Sequence, residues 1–299
     1  MTPRLYLDNA ATSFPKPPEV MAAMRTYMES LGASAGRGAY REALATGELV
    51  AECRASLARL IHAPQDRSVV FTHNGSASLN LALKGVLRPG DHVVTTTMEH
   101  NSVLRPLNAL GVQREVDVTH VAADSRSGLV DPEMLIAAIR PNTRLVAVNH
   151  GSNVTGSLQP ILENGAATSK RNVLLLVDGS QTAGHVPIDV QAMNIDLLAL
   201  PGHKGLMGPP GTGALYIKPG LEDQMEPLIE GGTGSVSEQP VQPDFLPDKF
   251  EAGSHNAVGL AGLAAALRWI GKKSMASLTQ HDQELSRRFL QRVHGVSGI

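Results

Sequence analysis

Lys204 stands in Leu200-Pro201-Gly202-His203-Lys204-Gly205, and upstream Asp178 closes the apolar run Val173-Leu174-Leu175-Leu176-Val177 and opens Asp178-Gly179-Ser180-Gln181. A lysine amine can bond covalently to an aldehyde, and a carboxylate set against a pyridine nitrogen keeps that ring protonated and able to absorb carbanion electrons. Together the two side chains read as a site for pyridoxal 5'-phosphate. Alone, Asp178 fits a cap or turn as well as a functional site; the lysine downstream favours function. A buried carboxylate beside a pyridinium gains a charge-assisted hydrogen bond that lowers its own pKa and raises that of the ring nitrogen.

Other polar residues also follow apolar runs, where open α/β sheets gather ligands. After Val69-Val70-Phe71 come Thr72-His73-Asn74-Gly75-Ser76 and a helical pattern, so the free N–H groups of the first turn and the Ser76 hydroxyl suit a phosphate. Ser76 equally suits a plain N-cap. Gln181 could reach the phenolic oxygen of the cofactor or sit solvated at a helix start. His100, in Met98-Glu99-His100-Asn101-Ser102, could lie over the cofactor ring or trade protons with substrate, against the common solvated loop histidine. Asn153 is a candidate donor to cofactor or substrate, or a turn asparagine, and His203 could bond phosphate. A lysine in a glycine loop also suits a nucleotide fold, but the sequence has no G-x-x-x-x-G-K-[ST] and no G-x-G-x-x-G after the first strand.

The elements that must hold these residues alternate from Val69 to Tyr216, the pattern of an α/β fold with a mainly parallel sheet and helices on both faces. Seven strands are predicted, near 69–72, 92–96, 115–121, 145–149, 173–178, 196–200 and 214–217. Helices are predicted over 18–31, 41–61, 76–86, 102–110, 132–139 and 160–169. Past Gly220 a Pro/Gly-rich crossing over 231–247 leads to two helical patterns, 257–270 and 274–293. The organisation expected is an N-terminal arm (1–16), a large cofactor-binding domain (17–250) and the start of a small C-terminal domain (251–299). That last part reads as incomplete, so both of its helices are expected to present apolar faces.

A chain of 299 residues can bury a substantial core. Its formal net charge of -2 and lack of a basic tract leave no footprint for nucleic acid or anionic membrane, so small-molecule partners are expected. No signal-peptide core and no apolar run of about 18 residues is visible, which reads as cytoplasmic. The one cysteine, Cys53, excludes intramolecular disulfides and multi-cysteine metal sites by counting. It shares a helical face with Leu49 and Leu57, the setting of a packed thiol rather than a nucleophile.

In their order these segments resemble the class V aminotransferase superfamily, and within it the cysteine desulfurase and selenocysteine lyase group. The resemblance runs from Tyr6-Leu7-Asp8-Asn9-Ala10-Ala11-Thr12 through Phe71-Thr72-His73-Asn74-Gly75-Ser76, Glu99-His100, Ser152-Asn153-Val154-Thr155-Gly156 and Val177-Asp178-Gly179-Ser180-Gln181 to Gly202-His203-Lys204 and Phe250-Glu251-Ala252-Gly253-Ser254-His255-Asn256. It implies a fold-type I pyridoxal phosphate enzyme that takes cysteine to alanine and passes sulfur to an acceptor, which could be a protein. By the same resemblance Lys204 bonds the cofactor, Asp178 meets the pyridine nitrogen, Gln181 and Asn153 lie near the phenolic oxygen and His100 over the ring. Gly75, Ser76 and His203 hold the phosphate. Ser254 matches a hydroxyl residue that reaches the neighbouring subunit's phosphate, implying a homodimer. Arg37 matches an arginine near the active site in some relatives, and a surface role is as well supported.

Three departures stand out. Pro201 replaces a serine that donates to the phosphate in many relatives, and proline has neither hydroxyl nor N–H. Ala77 replaces a glutamate. The chain also stops before the segment in which relatives carry the persulfide-forming cysteine and the arginine that clamps the substrate carboxylate; Arg268, Arg287, Arg288 and Arg292 fall on helical patterns that suit a solvated face. Cofactor binding with poor turnover is therefore one expectation. Transamination, racemisation or β-elimination on the same cofactor, and a silent fragment or dimerisation partner, are the alternatives.

Overall fold

The computed structural model of the chain describes residues 5–36 and 38–296, so Arg37 and the last three residues lie outside the described part. The apolar runs become β1 (Val69–Thr72), β2 (His92–Thr96), β3 (Asp117–Val121), β4 (Thr143–Asn149), β5 (Leu174–Asp178), β6 (Leu197–Pro201) and β7 (Gly213–Ile217). They form one seven-stranded sheet in the order β1-β7-β6-β5-β4-β2-β3. The strands from β6 to β3 run parallel, and β7 is antiparallel to both of its neighbours. The sheet is thus mixed but mainly parallel, as the alternation predicts.

Successive side chains on a strand point to opposite faces, and the core divides accordingly. Val94, Val146, Val148, Leu175 and Val177 pack on one face with Cys53 and Leu57 of α2 (Arg41–Leu60). Val93, Leu145, Ala147 and Leu176 pack on the other with Leu79 and Leu83 of α3 (Gly75–Val86) and Leu107 and Leu110 of α4 (Asn101–Arg114). Because both faces are covered, the strands read as near-continuous apolar runs.

The remaining helices are α1 (Pro18–Thr26), which continues as a π turn over Tyr27–Leu31, α5 (Pro132–Ala137), α6 (Ile161–Ser169), α7 (Ala257–Lys273) and α8 (Met275–Val293). Caps set several starts: Asn74 Oδ1 accepts from Ala77 N at 2.8 Å, and Asn256 Oδ1 accepts from Gly259 N at 3.0 Å. Asn74, not Ser76, therefore caps α3. Helix α4 runs four residues past the expected end, where Glu115 takes the left-handed conformation that closes it.

The two C-terminal helices differ. The apolar face expected to be bare on α7 is covered, since Leu260, Leu263, Ala264 and Leu267 join the core beside α2, with α1 packed alongside. Helix α8 buries no residue and leaves Leu285, Phe289 and Leu290 exposed; Asp282 Oδ2 to His185 Nδ1 at 2.6 Å and Thr279 Oγ1 to the His185 carbonyl at 2.7 Å tie it down. Among the described residues no helix is long and apolar enough to cross a membrane.

A buried ion pair fixes the entry to α7. Arg54 grips Glu251 with both terminal nitrogens, at 2.6 and 2.8 Å, and Glu251 also accepts from the Phe71 backbone N–H of β1. Truncating one partner leaves the other charge buried and unpaired. Glu251→Ala is therefore expected to cost about 3–5 kcal/mol of unfolding free energy, measured by urea titration; a loss below about 1 kcal/mol, the surface-pair range, would show that the pair is not the anchor described.

Candidate active site

The carboxyl ends of β1, β2, β4, β5 and β6 open on one edge of the sheet. Register places Asp178, the last residue of β5, beside Asn149 of β4 and Ala199 of β6. Lys204 lies in the loop that follows β6. Its ammonium is half-buried; burial depresses its pKa, and the Asp178 charge opposes that shift. Asp178 is buried, and Ser180 N donates to its Oδ1 at 2.9 Å.

The loop around Lys204 is held from both sides. Gly202 N donates to the Thr212 carbonyl and Gly208 N to that of Gly202, each at 2.8 Å. A Cβ at Gly205 would overlap the Ala183 carbonyl and the His185 ring, so only glycine allows this approach. From the N-terminal arm, Ser13 N, Thr12 Oγ1 and Lys16 Nζ donate to the His203 carbonyl at 3.1, 3.0 and 2.7 Å. Ser13 Oγ lies 2.8 Å from the Lys204 carbonyl. Burial brings the Lys16 amine down to about 8. Gln181 Nε2 reaches the Ala10 carbonyl at 3.1 Å, a second tie between arm and site.

Gly75, Ser76, His100, Asn153, Asp178, Gln181, His203 and Lys204 all line one cleft. The first turn of α3 presents Gly75 and Ser76 at one end. A Cβ on Gly75 would stand 3.1 Å from Ser180 Oγ and 3.5 Å from Pro201 Cβ, so the bare backbone leaves room between them. The departure at Pro201 thus places a ring, not a donor, in the cleft wall. His203 Nδ1 is buried with no partner among the described residues; burial, then the Lys204 and Lys16 charges, depress its pKa. Ser254 lies outside the cleft, exposed in a neighbouring pocket with Phe71 and His255.

His100 caps α4, with Nδ1 accepting from Ser102 N at 3.1 Å. Nδ1 is therefore the bare nitrogen, and in the neutral ring Nε2 carries the proton. Ser102 Oγ lies 2.9 Å from that Nδ1 and 2.6 Å from Ser76 Oγ. Ser102, Asn149 and Ser180 also line the cleft but carry no role in the sequence reading. Asn149 ends β4, and Ser180 and Ser102 come two and six residues after β5 and β2, a placement at the carboxyl edge of the sheet that they share with the residues that were singled out.

The donor set fits a phosphate-bearing aldehyde with a basic ring nitrogen. An amine and a carboxylate share the cleft with the backbone of the first turn of α3 and the Ser76 hydroxyl, and His203, whose buried Nδ1 has no partner among the described residues, forms part of its wall. The profile of the aminotransferase class-V family matches residues 5–299. The chain belongs to the class V aminotransferase family. A probable cysteine desulfurase of Methanothermobacter thermautotrophicus is 38% identical over 298 residues, covering 99% of this chain and 74% of that protein. The solved apo cysteine desulfurase of Thermococcus onnurineus NA1 superposes with a TM-score of 0.89 at 32% identity, over 97% of this chain and 73% of that one. The cysteine desulfurase CsdA of Escherichia coli gives 0.87 at 30%, over 98% and 74%. Class V aminotransferases and cysteine desulfurases generally depend on pyridoxal phosphate.

Behind the cleft, Glu99 is fully buried. Thr96 Oγ1 and Asn149 N donate to its Oε1 at 2.7 and 3.0 Å, while Oε2 has no partner. Burial first, then the nearby Asp178 charge, pushes its pKa up to about 8 against the two hydrogen bonds. The folded state thus keeps a proton that the unfolded chain releases near its ordinary value, and this contribution to stability is lost as pH rises from about 4.5 to about 8. Comparing wild type with Glu99→Gln by urea unfolding across that range isolates it. Relative to the variant, wild type is expected to lose on the order of a few kcal/mol with rising pH; parallel curves would mean that Glu99 folds as a carboxylate.

Proposed function

We propose that the chain is a pyridoxal phosphate enzyme of the cysteine desulfurase kind, taking cysteine to alanine and releasing sulfur to an acceptor, as a homodimer in the cytoplasm. The observation that carries this reading is that Lys204 and Asp178 line one cleft together with Gly75 and Ser76 of the α3 N-terminus. Similarity to enzymes named as cysteine desulfurases supports the substrate. Bound there, the cofactor supplies an aldehyde for an amine and a ring that draws electrons from the substrate α-carbon.

Lys204 would hold that aldehyde through Nζ. The depressed pKa of its amine eases loss of the ammonium proton, so the amine, once free, can take a proton from one atom and return it to another. Asp178 would meet the ring nitrogen, its charge favouring the protonated ring. Gly75, Ser76 and His203 would hold the phosphate, Gln181 and Asn153 would lie near the phenolic oxygen, and His100 would offer its Nε2 proton over the ring. Ser254, outside the cleft, would serve the partner subunit's phosphate. Cys53 has no part in sulfur handling, because burial on α2 pushes its thiol up to about 12.

Adding the cofactor to wild type is expected to give an absorbance band near the visible edge that Lys204→Ala lacks. With cysteine, alanine and sulfide should appear together, and Asp178→Asn should cut their rate by roughly 100-fold or more. Keto acid without sulfide would point to transamination, and no band in wild type would remove the cofactor assignment.

A further inference from the structure

A groove between α3 and α4 runs out from the cleft and shares Ser76, His100 and Ser102 with it. Beyond these it is lined by Asn80 and Lys84 of α3 and by Asn101 and Arg105 of α4. Neither helix carries an acidic side chain, whereas together they carry Lys84, Arg105 and Arg114. Arg114 lies 3.8 Å from Glu226 and donates to backbone carbonyls. The Lys84 ammonium and the Arg105 guanidinium have no hydrogen-bond or ion-pair partner among the described residues. Two free cations, with no acidic residue among the lining, thus line one groove that leads to the α3 N-terminus.

Electrostatic capture scales with the charge of the incoming molecule. An amino acid is a zwitterion with no net charge to attract, whereas a phosphate monoester carries about -1.5 to -2 at pH 7. We propose that the α3–α4 groove is an entry path for a phosphate monoester: Lys84 and Arg105 capture the phosphate end of the cofactor and pass it to Ser76 and the first turn of α3. This rests on the cofactor reading above. The groove is a capture site on the way in, so its effect belongs to the association rate.

The test mixes apo protein with pyridoxal 5'-phosphate or with unphosphorylated pyridoxal and follows absorbance by stopped flow at low and high salt. In Lys84→Gln/Arg105→Gln, pyridoxal phosphate is expected to bind roughly three- to tenfold more slowly at low salt, with the gap closing at high salt. Pyridoxal should bind at the wild-type rate, which also shows that the variant is folded. Arg288→Gln/Arg292→Gln, an equal charge change on exposed α8, should bind both compounds as wild type does. Unchanged low-salt capture of pyridoxal phosphate by the Lys84→Gln/Arg105→Gln variant overturns the entry path, as does equal slowing of pyridoxal or an equal effect of Arg288→Gln/Arg292→Gln. A wild type that binds neither compound overturns the cofactor reading and the entry path together.

Discussion

A carboxylate and an amine confined together at the edge of a sheet set the terms for everything around them. Asp178 and Lys204 both lose water on burial, and each offsets part of the other's cost. Such a pair has to be placed by backbone, because a long lysine side chain gains little from finding a partner by itself. Asp178 gets its place from the β5 register, and Lys204 from a loop pinned between Thr212, Gly208 and the N-terminal arm. Proline at the end of β6 and glycine on either side of His203-Lys204 serve that geometry, with the Pro201 ring lying against Gly75.

Around the pair, burial pushes Glu99, His150 and His203 towards their neutral forms. Glu99 is pushed up to about 8 and His150 down to about 4, and His203 is depressed as well. Near pH 7 Glu99 is therefore mostly protonated and His150 neutral. The positive end of a ligand ring entering the cleft consequently meets Asp178 with no second anion competing behind it. A low local dielectric makes that single charge count for more than it would among several solvated ones.

The strands and most helix limits were legible because short apolar runs bounded by Gly, Asn and Asp have few alternative readings. That Asp178, Lys204, Gly75, Ser76, His100 and Asn153 would gather in one cleft was legible for a related reason: each ends a strand or comes within a few residues after one. What depended on the third dimension was not. The bonds from Thr12, Ser13 and Lys16 to the His203 carbonyl join residues nearly two hundred positions apart, and no local pattern announces them. The cover over α7 was missed for the same reason, since α1 and α2 come from the far end of the chain. Ser76 was open to reading as a cap because hydroxyls cap helices; Asn74, two residues earlier, takes that place and leaves the Ser76 hydroxyl facing Ser102.

That displacement of the cap has a chemical consequence. Ser76, Ser102 and His100 form a row of polar atoms at 2.6 and 2.9 Å, running from the α3 N-terminus to the imidazole. Ser102 N already donates to His100 Nδ1, so the Ser102 hydroxyl can turn its proton to Nδ1 or to Ser76 without changing the tautomer. When Ser76 gives its own proton to an anion at the helix start, its lone pairs remain available to Ser102. Both states need only hydroxyl rotation and no heavy-atom movement. The end of the cleft that suits phosphate and the histidine beside it are thus joined by hydrogens that can rearrange while Nε2–H stays fixed. A backbone bond to Nδ1 achieves this where a solvated loop histidine would exchange tautomers freely.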